Sequence, residues 1–180
     1  DIIKMLWHDK DIITGAYPIK DINWDKVKQF SNEGADPKTL LRRSTRFVVN
    51  PVRMADSRIK VDNGAISVHD AGTGFMLIKR SVFEKLFEAH PELKYKDDTG
   101  LLQDEERDCS YALFNSYVDD DKRFLSEDYG FCRYWQALGG DVWTDPSIEL
   151  THLGRMRYEG RLIDFLVENS QQYSENGIVS

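Results

Sequence analysis

The stretch RFLSEDYGFCRYWQALGGDVWTDPSIELTHLG, Arg123 to Gly154, constrains the fold more than any other part of the chain. Ser126 is a helix-capping residue type, and Glu127 and Asp128 place negative charge where a first helical turn favours it. Phe131, Tyr134, Trp135 and Leu138 supply an apolar face, and Gly139-Gly140 supplies a stop, so a helix is expected over 127–138. DVWT and SIELTHLG, around an Asp145-Pro146 turn, read as two short strands. Helix passing straight into strands is the pattern of an α/β chain.

The remainder agrees with that class. Ile2, Ile3, Leu6 and Trp7 recur at helical spacing over residues 1–9, and Ile12 to Ala16 is a β-rich run halted by Pro18. Residues 19–45 are polar and read as an irregular connection, with at most a helical turn at DPKTLLRR. RFVVNPV and RIKVDNGAISVHD read as strands, the second folded back at Asn63-Gly64 in a type I′ hairpin turn. AGTGFMLIKRSVFEKLFEAHP is a glycine-rich loop, a buried strand over 75–78 and a helix capped by Ser81 and ended by His90-Pro91. CSYALF is strand-like within a loop-rich 92–123, and RLIDFLVENSQQYSENG is a last helix running into a polar tail expected to be flexible over about 171–180. No internal repeat is found. The whole reads as a single α/β domain around a mixed sheet.

Composition excludes some functions. At 180 residues such a domain buries roughly 70% of its unfolded surface. A net charge of −7 argues against a nucleic-acid partner held through phosphates. No run of eighteen apolar residues is present, so no transmembrane segment is expected. Two cysteines, Cys109 and Cys132, do not make a disulfide framework, which points to a reduced, cytoplasmic setting. The first residues have no signal-peptide layout and begin as if in mid-helix, so the chain is expected to be a fragment of a longer one.

Two places could carry chemistry. Glu127 and Asp128 serve the helix dipole in any case, but Gly130 in the same first turn costs about 1 kcal/mol against alanine. It therefore calls for a close approach by a ligand or another backbone. A carboxylate fixed on such a helix start suits general-base work. His152 shares a strand face with Ile148 and Leu150 and is followed by Gly154, Arg155 and Arg157. Most such histidines are structural, yet this grouping suits a metal ligand beside an anionic diphosphate. Asp119-Asp120-Asp121 also spells a paired-carboxylate motif, but no apolar strand leads into it, and a solvated turn is the better reading. His8 and His90 have no ligand partners at i+3 or i+4, and the His69-Asp70 pair before the Gly-Thr-Gly loop could touch substrate, although a hydrogen-bonded loop pair is the better reading.

FLSEDYGFCRYWQALGGDVWTDPSIELTHLG resembles the C-terminal, acceptor-side portion of bacterial and phage-type glycosyltransferases of the GT-A fold, of a family-2-like kind. ITGAYPIKDINWDKV and AGTGFMLIKRSVFEKLFEAHPELKY resemble segments upstream of it in that family, in the same order. Together the matching segments cover about half of the chain, a more specific signal than any single motif; residues 31–60 and 92–118 do not match.

The resemblance implies a GT-A-like mixed sheet flanked by helices, here lacking the N-terminal nucleotide-binding βαβ half and its DxD motif. It implies a metal-dependent enzyme that transfers a sugar from a nucleotide-sugar donor to a hydroxyl of a glycan or protein acceptor, with inversion favoured. Asp128 would be the catalytic base and Glu127 its neighbour positioning acceptor or base. His152 would be a ligand of Mn²⁺ or Mg²⁺, and Arg155 or Arg157 would touch the diphosphate. Gly72, Thr73 and Gly74 would form the floor where the two sugars meet, with Tyr17, Pro18 and Lys20 opposite. A non-catalytic module that binds carbohydrate or a partner is the alternative. A hydrolase finds less support, since no second carboxylate has a recognisable acid/base context.

Overall fold

The computed structural model describes residues 1–168, apart from the side chains of Asp104, Glu105 and Glu168. The polar tail expected over 171–180 lies outside the described residues.

Alternating buried residues build a five-stranded mixed sheet. Its strands are β1 (Ile12–Thr14), β2 (Val61–Asp62), β3 (Ala65–Val68), β4 (Met76–Ile78) and β7 (Val142–Thr144), in the order β2-β3-β7-β1-β4. The β1–β7 pair is parallel and every other pair antiparallel. Side chains alternate between faces. Ile12, Ile66, Val68 and Val142 join one core with Val82 and Leu86 of α4 (Arg80–Ala89) and with Phe131, Cys132 and Trp135 of α6 (Glu127–Ala137). Ile13, Ala65 and Trp143 face the other way, against Met5 of α1 (Ile2–Trp7) and Ile148. Burial on both faces is why β1 reads as an unbroken apolar run rather than as an alternation.

The expected hairpin forms at Asn63-Gly64, whose φ values of 49° and 82° are those a type I′ turn requires. The helix predicted over 127–138 also forms. It ends in a Schellman motif: the Gly139 amide bonds the Gln136 carbonyl at 2.9 Å, the Gly140 amide bonds Trp135 at 3.2 Å, and Gly139 takes φ 83°.

Four local expectations are corrected. Residues 19–45 are not irregular: they hold α2 (Trp24–Asn32) and α3 (Pro37–Ser44), packed on each other. Asn23 and Asp36 cap them through the Lys26, Lys38 and Thr39 amides, and Pro37 stands at the first helical position. Their apolar faces are thin, with Phe30 the one buried apolar side chain of α2, so hydrophobic periodicity did not reveal them. RFVVNPV forms no ladder strand; it runs beside β3 through isolated bonds such as Val52 to the Ser67 carbonyl at 2.9 Å, and Pro51 lacks a donor there. CSYALF contributes a single bridge, Lys94 to Tyr111. Helix α4 starts at Arg80 with Lys79 at its cap position, and Ser81 lies inside it.

After α5 (Asp104–Arg107), Asp119-Asp120-Asp121 forms the turn between β5 (Tyr117–Val118) and β6 (Phe124–Leu125). Asp119 bonds the Arg123 backbone and guanidinium, as a structural turn would. Beyond β7 the chain makes a two-stranded hairpin, β8 (Glu149–Leu153) and β9 (Arg157–Arg161), and then α7 (Leu162–Glu168). The Arg155–Arg157 segment is thus the tip of a hairpin and the start of a strand.

Candidate active site

A cavity of about 200 Å³ opens where the carboxyl ends of the two parallel strands meet the start of α6. Thr14, Gly15 and Ala16 come from the end of β1 and Thr144 from the end of β7. The walls are completed by Tyr17, Val48, Val49, Asp70, Gly72, Asp128 and Tyr129. The carboxyl ends of parallel strands are where open α/β sheets bind ligands, since connections diverge there and leave a crevice.

Asp128 reaches this cavity from the first turn of α6. Its Oδ1 accepts from the Tyr129 amide at 2.9 Å and from the Ser126 hydroxyl. Ser126 occupies the cap position but makes no side-chain bond to the helix backbone; it orients Asp128 instead. Gly130 has its explanation in packing. A Cβ there would lie 2.9 Å from the Asn115 carbonyl oxygen and 2.8 Å from the Tyr117 ring, so the close approach is by the protein itself.

Tyr17 joins the parts. Its ring rests on the glycine loop, so a Cβ on Gly72 would come within 2.3 Å of its hydroxyl oxygen and one on Gly74 within 2.9 Å of its ring. Burial pushes the Tyr17 phenol up and the Asp128 carboxylate adds to this, while a Gly74 backbone hydrogen bond opposes them. On its other side the ring meets His152 edge-on, with centroids 5.3 Å apart and planes at 74°. The His152 Nδ1 lies 2.9 Å from the Pro18 carbonyl oxygen. A carbonyl only accepts, so Nδ1 carries the proton and Nε2 of the neutral ring holds the lone pair.

Of the expected residues, Tyr17, Gly72 and Asp128 line the cavity, while Pro18, Gly74 and His152 lie outside its lining and adjoin it through their contacts with Tyr17 or with each other. Glu127 is exposed at the rim, close enough to contribute to the rise of the Tyr17 phenol. Other residues stand apart from the cavity wall. Thr73 is exposed, in a single turn of 3-10 helix. Lys20 is exposed, its methylenes beside Gly154, where a Cβ would lie 3.1 Å from Cδ. Arg155 is exposed on the hairpin, and Arg157 pairs with Glu159 at 2.6 Å. The Gly-Thr-Gly loop is a floor, but Tyr17 covers its glycines.

Sequence reasoning missed Tyr129 and the strand-end threonines, and it noted Asp70 as a residue that could touch substrate but preferred a hydrogen-bonded loop pair with His69. Asp70 did carry a signal, a lone acidic residue directly before the glycine loop, but its partners Asn50 and Arg133 are distant in sequence.

As a metal ligand His152 has suitable chemistry: a carbonyl fixes the ring and leaves one nitrogen to coordinate. Among the described residues no group of three or more His, Cys, Asp or Glu side chains could hold a metal ion. His152 would therefore supply one protein ligand to an ion completed by other oxygens. No helix among the described residues is long and apolar enough to cross a membrane. No protein-family profile, curated protein or solved structure matches this chain.

Proposed function

We propose that this chain carries the acceptor side of a GT-A-type glycosyltransferase site, in which Asp128 deprotonates the attacking hydroxyl. The observation that carries the reading is the placement of Asp128: fixed on a helix start, in the wall of a cavity at the carboxyl ends of parallel strands. The resemblance of the SED, Gly-Thr-Gly and LTHLG segments supports the same reading. The acceptor hydroxyl sits against Asp128, and its oxygen attacks the anomeric carbon of the donor sugar. The bond to the nucleoside diphosphate breaks with its electron pair, the hydroxyl proton passes to the carboxylate, and in-line attack inverts the anomeric centre. A bound Mn²⁺ or Mg²⁺ would neutralise charge on the departing diphosphate. His152 would hold it through Nε2, and Arg155 on the neighbouring hairpin tip would contact the diphosphate. Tyr17, which touches the His152 ring and feels the Asp128 carboxylate, would link the acceptor and leaving-group ends of the site.

The test is a panel of nucleotide-sugars and simple glycoside acceptors, with and without Mn²⁺, followed by mass spectrometry. Asp128→Asn is expected to lower transfer by about 10²–10⁴-fold with unchanged melting temperature. Transfer undiminished in a folded Asp128→Asn protein ends the assignment. A second reading, carbohydrate binding without turnover, is favoured by the lack of a three-ligand metal group among the described residues. Glycoside binding with no transfer from any donor would select it.

A further inference from the structure

The cavity holds a second carboxylate that the proposed transfer does not use. Asp70, between β3 and the Gly72 floor, is 8% exposed and lines the cavity together with Asp128. A buried carboxylate is costly unless partnered. Asp70 has two partners: Asn50 Nδ2 donates to Oδ2 at 3.0 Å, and Arg133 Nη2 lies 2.8 Å from Oδ1. Arg133 belongs to α6, so this pair ties the glycine loop to the helix that bears Asp128.

That tie is already made by other groups. Gln136 Nε2 donates to the Val68 and His69 carbonyls at 3.1 and 3.0 Å, and the Cys132 thiol faces the Ala71 carbonyl at 3.8 Å. An apolar pair at 70 and 133 would add to it without desolvating two charges. What position 70 adds is a fixed acceptor in a cavity wall whose other side chains include the hydroxyls of Tyr17, Tyr129, Thr14 and Thr144. Burial pushes the Tyr129 phenol up, with Asp70 and then Asp128 adding to it, so that phenol lies in the field of both carboxylates.

We infer that Asp70 determines which sugar this cavity accepts: its carboxylate, oriented by Asn50 and Arg133, takes a hydrogen bond from one ring hydroxyl while Asp128 faces the attacking one. The inference rests on the sugar-transfer reading above. A deoxy sugar at that position would leave a buried acceptor unpaired, and sites built to bond a hydroxyl discriminate strongly for this reason.

The experiment measures binding by ligand-observed NMR. The probes are the methyl glycosides of glucose, galactose, mannose and N-acetylglucosamine, each with its single-position deoxy analogues. Wild-type protein is expected to bind one parent glycoside and to lose about tenfold or more in affinity at one deoxy position. Asp70→Ala, and the charge-balanced Asp70→Leu/Arg133→Met pair, are expected to bind that parent and its deoxy analogue within about twofold of each other. Thermal melting confirms that each variant is folded, and the double variant serves if an unpaired Arg133 unfolds the single one. An unchanged parent-to-deoxy ratio in a folded Asp70 variant overturns the role of Asp70 and leaves sugar transfer standing. Failure of wild-type protein to bind any glycoside overturns both.

Discussion

The two ends of the candidate site are held in different ways. Asp128 stands on a helix whose Phe131, Cys132 and Trp135 are buried in the main core, with Phe131 stacked on Phe114 at 4.4 Å. His152 stands on a two-stranded hairpin whose tip, Leu153 to Met156, is exposed, and its ring meets the Pro18 carbonyl and the Tyr17 ring. The Asp128 carboxylate is thus placed by the packing that makes the protein fold, and the histidine by its strand and two contacts from the segment after β1.

The comparison breaks most visibly at Phe131. Phe131→Ala is expected to lose about 3–5 kcal/mol of stability in urea unfolding, because the residue is fully buried between rings. If transfer survives undiminished in such a variant, the base does not depend on the core as argued. Next comes the corner that launches the hairpin. Asp145 meets His8 Nε2 at 3.1 Å and accepts from the Ser147 amide at 2.8 Å. Burial pushes its carboxyl up, but the Ser147 bonds and His8 outweigh this and hold it below its usual 3.8. A depressed folded-state value means the contribution is present above the unfolded value and lost as pH falls through the folded one. Asp145→Asn is therefore expected to cost about 1–3 kcal/mol near neutral pH. The gap from wild type should close as pH drops below about 3.8. A gap constant down to pH 2.5, read from unfolding midpoints, would refute this.

Gly72→Ala sharpens the link between the two ends. Its methyl would meet the Tyr17 hydroxyl at 2.3 Å and must push the ring aside, at about 1–3 kcal/mol if the ring is held firmly. Tyr17 fluorescence and the His152 ring resonances should both move; if neither does, Tyr17 is not the coupling between them. The smallest stability change belongs to the hairpin. His152→Ala is expected to lose about 0.5–1.5 kcal/mol with its one hydrogen bond. It should still shift the Mn²⁺ titration of transfer to higher concentration, and an unchanged titration removes it from the ligand set.

Much of the scaffold was legible because local rules and tertiary structure agreed there. Asn63-Gly64 supplies the positive φ that a two-residue hairpin turn needs, and Gly139 stops its helix in a left-handed conformation, although Ser126 at the other end bonds Asp128 rather than the helix backbone. Helices α2 and α3 were missed although Asn23, Asp36-Pro37 and Gly34 punctuate them, because so few of their residues are buried that the periodic signal is thin. RFVVNPV has strand composition but lies at a sheet margin where Pro51 cannot pair. At the site, Asp128, Tyr17 and Gly72 were legible as residue types in a motif, whereas Asp70 was legible only as a loop residue able to touch substrate, since its carboxylate is oriented by Asn50 and Arg133 from elsewhere in the fold.

The sequence by itself determined the α/β class, the hairpin turn, the helix bearing Asp128 and the alternation that puts His152 beside Leu150. These follow from backbone preference and burial period, which act within a few residues. Tertiary structure alone decided that Tyr17 lies over the glycine loop between Asp128 and His152, that Gly130 admits a backbone rather than a ligand, and that Asp70 joins the cavity. Those outcomes depend on contacts between residues from 13 apart (Gly130 and Tyr117) to 135 apart (Tyr17 and His152), which no local pattern encodes.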